Sequence, residues 1–237
     1  MIRKPAILVL LAVALAACSS TTSTPSRFVF GFDFDADTLG WSAGFSDYPV
    51  GREADVQFTA DHRPLPDSLS GSAFYHHGTN ISDDLFMYFD RVVTGLAPDG
   101  EYRASFGLAF ASNYGQDCDI GVGASVFLKA GAAGMEPEGS PDSTGIVRLN
   151  IDKGNQANGG VNAVLLGDVR NGRPGCAADA PFAIAGREGG DTTILVRADG
   201  TGRIWLFFGS ESAFESEHEL YFTRLRAVLE ATGADQP

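Results

Sequence analysis

The sequence predicts an all-β protein, a two-sheet antiparallel β-sandwich of jelly-roll type with long loops. Three observations carry this. Apolar and polar residues alternate at period two in several short runs, turn clusters separate those runs, and no long stretch carries a helical period. The 29 glycines in 237 residues exceed the roughly 7% average and fit a chain of many tight turns.

The elements follow in order. Phe28, Phe30, Phe32 and Phe34 alternate with Val29, Gly31, Asp33 and Asp35, so a first strand has one apolar face. Residues 56–59 suggest a short strand. Residues 84–93 (DLFMYFDRVV) are apolar on both faces through Phe89, the pattern of a central strand. Residues 94–100 are rich in breakers, and Tyr102, Ala104, Phe106, Leu108 and Phe110 then mark another strand. Segments 125–130, 147–151 and 161–166 give shorter ones. Residues 194–197 and 203–208, joined by Ala-Asp-Gly-Thr-Gly, read as a hairpin. Residues 210–219 have room for one turn of helix, and 220–229 form a closing strand. Segments 111–123, 131–145, 152–160 and 167–190 lack a pattern. Loops of that length are where function concentrates.

The first residues read differently. Arg3 and Lys4 precede an apolar run at 6–15, too short to span a bilayer as a helix. The run ends in Leu15-Ala16-Ala17-Cys18, which resembles the bacterial lipobox. That resemblance implies cleavage before Cys18 and lipidation of its sulfur, so the chain is expected in the cell envelope, lipid-anchored to a membrane. Ser19 stands where Asp would imply inner-membrane retention, so outer-membrane sorting is expected. The expected organisation is a signal peptide at 1–17, lipidated Cys18 and a polar tether through 27, a sandwich at 28–230 and a tail at 231–237. Removing 17 residues, two of them basic, from 237 at −13 leaves 220 at −15. A surface this acidic disfavours nucleic acid as a partner. Cys118 and Cys176 remain, and an oxidising compartment predicts a disulfide between them.

The order of signals resembles the galactose-binding-like jelly roll of carbohydrate-binding modules. The residues that carry it are Phe32-Asp33-Phe34 with Gly40-Trp41, the run Val93–Tyr102 with Leu96, Pro98 and Tyr102, and the closing Leu220-Tyr221-Phe222 with Leu225–Val228. Residues 80–87 (N-x-S-D-D-L-F-M) and 150–156 (N-I-D-K-G-N-Q) are similar to segments of uncharacterised bacterial lipoproteins. The resemblance implies a glycan as partner and leaves room for a structural Ca²⁺.

Several residue groups are candidates for a site. Asp33, Asp35 and Asp37 suggest Ca²⁺, but the EF-hand template needs Gly and Glu where Thr38 and Gly44 stand, so a solvated strand face is expected. The ligand-binding candidates are Asn80, Asp83 and Asp84, then Asn113 and Tyr114, then Asp152, Lys153, Asn155 and Gln156. Their amides, carboxylates and amine can bond several sugar hydroxyls at once. Lys129 and Lys153 are the only lysines after Cys18. His76 and His77 adjoin on a predicted strand and so point to opposite faces. Trp41 is expected in the core. No G-x-S-x-G elbow or His ligand spacing is present, so no catalytic or metal residue is assigned. The expectation is a non-catalytic carbohydrate-binding or recognition module. The alternatives are a glycoside hydrolase or polysaccharide lyase on the same scaffold, and a structural envelope lipoprotein.

Overall fold

The structure, a computed structural model, describes residues 27–66, 69–177 and 179–233. The signal peptide, Cys18 and the tether to residue 26 lie outside the described residues. Fifteen strands form: β1 (Arg27–Asp33), β2 (Ser42–Ser46), β3 (Tyr48–Pro49), β4 (Thr59–Pro64), β5 (Ser72–Thr79), β6 (Phe86–Val93), β7 (Glu101–Ser112), β8 (Val126–Ala133), β9 (Gly139–Pro141), β10 (Ile146–Leu149), β11 (Ala163–Asp168), β12 (Ala183–Glu188), β13 (Ile194–Arg197), β14 (Ile204–Ser212) and β15 (Glu217–Ala231). Among the described residues only two single-turn helices form, α1 (Glu53–Val56) and α2 (Val122–Ser125).

Two antiparallel sheets face each other, as the alternating pattern predicts. The first has the order β12-β7-β15-β5-β4, with β1 also beside β15 and β13 beside β7. The second has the order β11-β8-β14-β6-β2. A small third sheet, β3-β10-β9, flanks them. Between the large sheets, aromatic rings interdigitate. Phe74 of β5 stacks on Phe89 of β6 at 3.7 Å, and Phe208 of β14 meets Phe222 of β15 edge-on at 5.1 Å. Trp41 joins them from the first turn, 5.0 Å from Phe208 and only 5% exposed. Each such ring contributes roughly 1.5–3 kcal/mol by leaving water.

β15 organises the first sheet. Its first part pairs with β5, from Glu217 opposite Thr79 to Phe222 opposite Phe74. Its second part pairs with β1 on the same side, from Arg224 opposite Asp33 to Glu230 opposite Arg27. A bulge at Thr223, where the register with β7 shifts, separates the two. The extra residue resets the alternation, so Leu220 and Phe222 before it and Leu225, Ala227 and Leu229 after it all reach the core.

Three local expectations are corrected. Residues 194–197 and 203–208 are not a hairpin: β13 pairs with β7 in the first sheet, while β14 pairs with β6 and β8 in the second. The tight turn is real, with Asp199 N–H on the Arg203 carbonyl at 2.9 Å. It arches across the sandwich because both flanking strands carry buried residues that must face the shared core. Residues 56–59 are not a strand. Val56 ends α1 and is fully buried, and Gln57 turns the chain at φ 52° before β4. Residues 210–219 hold no helix, since β14 runs to Ser212 and β15 starts at Glu217.

The outer faces of the large sheets differ. Residues 134–162 cross the outer face of the second sheet. There Leu149 and Ile151 pack against Phe86, Tyr88, Ala163 and Phe207. This cover explains why β6 is apolar on both faces: it is buried on both. Among the described residues, the outer face of the first sheet carries no comparable cover over its middle.

Candidate functional site

The loops singled out in the sequence are placed in two separate regions. Residues 80–84 and 152–156 come together over the second sheet, where Gln156 Nε2 donates to the Asp83 carbonyl at 3.3 Å. Asn113 and Tyr114 lie elsewhere, beside the loop at 171, whose Asn171 N–H donates to the Tyr114 carbonyl at 2.7 Å. Tyr114 packs against the main core, and burial, with the charge of Glu219, pushes its phenol up to about 12. The Cys118–Cys176 disulfide ties that region, with Cα atoms 4.9 Å apart.

Most of the paired-loop residues are occupied by the fold itself. Asn80 Nδ2 donates to the carbonyls of Ser212 and Phe214, at 2.8 and 3.2 Å, while its Oδ1 accepts from the amides of Ser82 and Leu85. Asp152 accepts from the amides of Val161 and Gly154, at 3.0 and 2.9 Å, which holds its carboxyl low. Asn155 is exposed, as is the Asp83 side chain.

Beneath these loops lies a buried ionic network that sequence reading did not anticipate. Lys153 Nζ donates to Glu211 Oε1 at 2.6 Å and stands 3.3 Å from Asp47 Oδ2. Lys129 pairs with the other oxygen of Glu211 and donates to the Lys153 carbonyl at 3.0 Å. Arg148 Nη1 extends the chain to Asp47 Oδ1 at 2.6 Å and Asp84 Oδ2 at 3.0 Å. Burial pushes the Lys129 amine down and the Glu211 carboxyl up, each against the pull of its ionic partners. Both lysines that follow Cys18 therefore converge on one carboxylate. Lys129 faces outward from β8 and Glu211 from β14, and the cover segment brings Lys153 down onto them. The only sequence signal was the scarcity of lysine itself.

A second buried constellation sits inside the sandwich. Ser210 Oγ lies 3.1 Å from His76 Nε2 and 2.9 Å from His218 Nε2. A hydroxyl has one proton to give, so one imidazole accepts it and the other donates to the oxygen. Burial holds His76 well below the usual imidazole range and His218 down to about 3. The trio superficially suggests a nucleophile with its base, but Ser210 is fully buried and no substrate reaches it. His77 points the other way, 3.7 Å from Glu217, as the strand parity predicts.

Two further acidic features complete the electrostatics. Asp90 faces outward on β6, and burial, with the charge of Glu136, pushes its carboxyl up to about 6. Asp33, Asp35 and Asp37 serve local structure: each of the last two caps a backbone amide, and Asp33 lies 3.3 Å from Arg224 Nε. Among the described residues no group of three or more His, Cys, Asp or Glu is placed to hold a metal ion.

The open face of the first sheet holds a cleft of about 350 Å³. It lies where β15 bulges at Thr223, between the end of β1 and the start of β5. Asp33, Asp35, Ser70, Ser72, Thr223 and Arg224 supply polar groups, and Leu65, Ala109 and Ile184 supply apolar ones. Register explains its floor. Ala109 lies opposite both Arg224 and Gly186, and Gly107 opposite Arg226 and Glu188, so small residues and charged ones share one face. Asp35 Oδ1 accepts the Ser72 amide at 2.7 Å, which fixes the 70–72 turn as one wall. Ile184 is 52% exposed on the opposite wall. The pattern of small floor, charged rim and one exposed apolar side chain arises from strands far apart in sequence.

No family model matches this chain, and no curated protein matches it by sequence. Among solved structures it is similar to the CBM22-1 xylan-binding domain of Paenibacillus barcinonensis Xyn10C, at 10% identity and TM-score 0.40 over 89% of this chain and 100% of that one. It is similar to the mannan-recognising carbohydrate-binding module TmCBM27, at 9% identity and TM-score 0.39 over 87% and 99%. A third similarity is to the enzymatically active domain of tailspike protein 4 of bacteriophage CBA120, at 10% identity and TM-score 0.35 over 82% of this chain. This chain spans only 20% of that tailspike chain. The likeness is one of β-sandwich architecture and carries no ligand over to this chain.

Proposed function

We propose that this protein is a lipid-anchored envelope lipoprotein whose sandwich recognises a glycan without cleaving it. The observation that supports this most directly is the cleft at the Thr223 bulge. Carboxylates accept hydroxyl protons, the Arg224 guanidinium donates, and Ile184 and Leu65 offer apolar surface to sugar C–H groups. Asp33 lies 3.3 Å from Arg224 Nε, and Asp35 accepts the Ser72 amide. The acidic chain suits a neutral glycan better than a polyuronate. This reading puts recognition on the first sheet instead of the loops at 80–84, 113–114 and 152–156. The anchor rests on the lipobox at Cys18, and outer-membrane sorting on Ser19.

Affinity electrophoresis of the full chain through gels carrying neutral polysaccharides tests the site. Retardation is expected for wild type and for Asn155→Ala, and its loss for Arg224→Ala and Ile184→Ser at unchanged melting temperature. Loss in Asn155→Ala with retention in Arg224→Ala would return the site to the loops. No retardation on any polysaccharide would sink glycan recognition altogether. Incorporation of labelled palmitate, abolished by Cys18→Ser, tests the anchor.

A further inference from the structure

The buried network over the second sheet holds the parts of a condensation reaction. Lys153 Nζ is 3.3 Å from Asp47 Oδ2 and 2.6 Å from Glu211 Oε1. Side-chain exposure is 7% for Lys153, 3% for Asp47 and nil for Glu211. Phe86 lies 5.2 Å from the Lys153 amine, so the site is walled by an aromatic ring. Arg148 Nη1 holds Asp47 Oδ1 at 2.6 Å, and Ser46 Oγ donates to Oδ2 at 2.8 Å. The two oxygens of Asp47 are therefore differently set. One faces a fixed cation, and the other faces two proton donors.

We propose that Lys153 and Asp47 join in an intramolecular isopeptide bond, with Glu211 carrying the protons. Glu211 takes a proton from the Lys153 ammonium, and the free amine attacks Asp47 Cγ. The Nζ–Cγ bond forms while negative charge gathers on Oδ1, where Arg148 meets it. The Cγ–Oδ2 bond then breaks. Two protons pass from Nζ by way of Glu211 to Oδ2, which leaves as water, and the third stays on the amide nitrogen. An ammonium and a carboxylate become an amide and one water, with no oxidant or co-reactant. Holding amine and carboxylate together out of solvent supplies the effective concentration that such a step lacks in water. Lys129 is the other amine on Glu211, but its second contact is a backbone carbonyl, so it has no second carboxylate to attack. The bond would fasten the end of β2 to the cover segment.

The test is a tryptic digest of the denatured, reduced full chain, read by mass spectrometry. If the bond forms, cleavage at Lys153 is blocked. Peptide 149–170 then appears joined to peptide 28–52, lighter by one water than the two together. Free 28–52 with separate 149–153 and 154–170 in the folded wild type overturns the proposal and leaves an ion pair only. Lys153→Arg keeps the charge and supplies the unlinked control. Glu211→Gln, checked for folding by near-UV circular dichroism, is expected to lose the linked species. Full linkage in folded Glu211→Gln overturns the proton-carrying role.

Discussion

Acid should unfold this protein through the two imidazoles around Ser210. Both are neutral in the folded state, since burial holds His218 down to about 3 and His76 well below its usual 6.5. In the unfolded chain each takes up a proton near pH 6.5. Below that pH the unfolded state binds more protons, so stability falls as pH falls. Each histidine costs about 1.4 kcal/mol per pH unit in this window, or about 2 kcal/mol each between about pH 7 and about pH 5. Asp90 acts with the opposite sign. Its folded carboxyl titrates at about 6 against 3.8 unfolded, so over the same interval it returns about 1 kcal/mol. These three groups together give an expected loss of about 3 kcal/mol, which the Glu211 carboxyl, also pushed up by burial, reduces. Urea unfolding at the two pH values measures it directly. His218→Gln removes one titration and should shrink the pH-dependent difference by about 2 kcal/mol, whatever its effect on absolute stability. Equal stability of wild type at both pH values, or an undiminished difference in His218→Gln, would refute the reasoning.

Two other outcomes follow from the geometry. Replacing Cys118 and Cys176 by Ala frees a 58-residue separation and should cost about 4 kcal/mol by chain entropy, read as a lower urea midpoint. An unchanged midpoint would mean that the two loops are held by other contacts. Lys129→Met takes from Glu211 its fully buried cationic partner, with an expected loss of about 3–5 kcal/mol in the same assay. A neutral result would show that Glu211 does not depend on the Lys129 charge.

Much of the fold was legible because burial writes itself into period-two patterns. The Phe stripe of β1, the two-faced apolar run of β6 and the opposed directions of His76 and His77 all follow from strand parity alone. The disulfide followed from the expected compartment and the cysteine count. What stayed hidden depends on pairing between distant strands. The turn at residues 198–202 looks local, yet the sheet each flank joins is decided by β7 and β6, not by the turn. Asn150–Gln156 is polar in the manner of a binding loop, but Asn80 and Asp152 spend their polarity on backbone amides and carbonyls. Lys153 is buried against Glu211, 58 residues away. The open cleft draws on β1, β5, β7, β12 and β15, so no contiguous motif could announce it.

The pairing of β1 also sets how the molecule bears tension. Arg27, where the preceding segment enters, is at one end of β1, and Asp33, at the rim of the cleft, is at the other. With the anchor and the cleft as proposed above, a pull between membrane and ligand runs lengthwise along this strand. Its seven register positions against β15 would be loaded together in shear instead of peeling one at a time. A chain tethered and loaded at those two ends resists hardest along the line on which it is drawn.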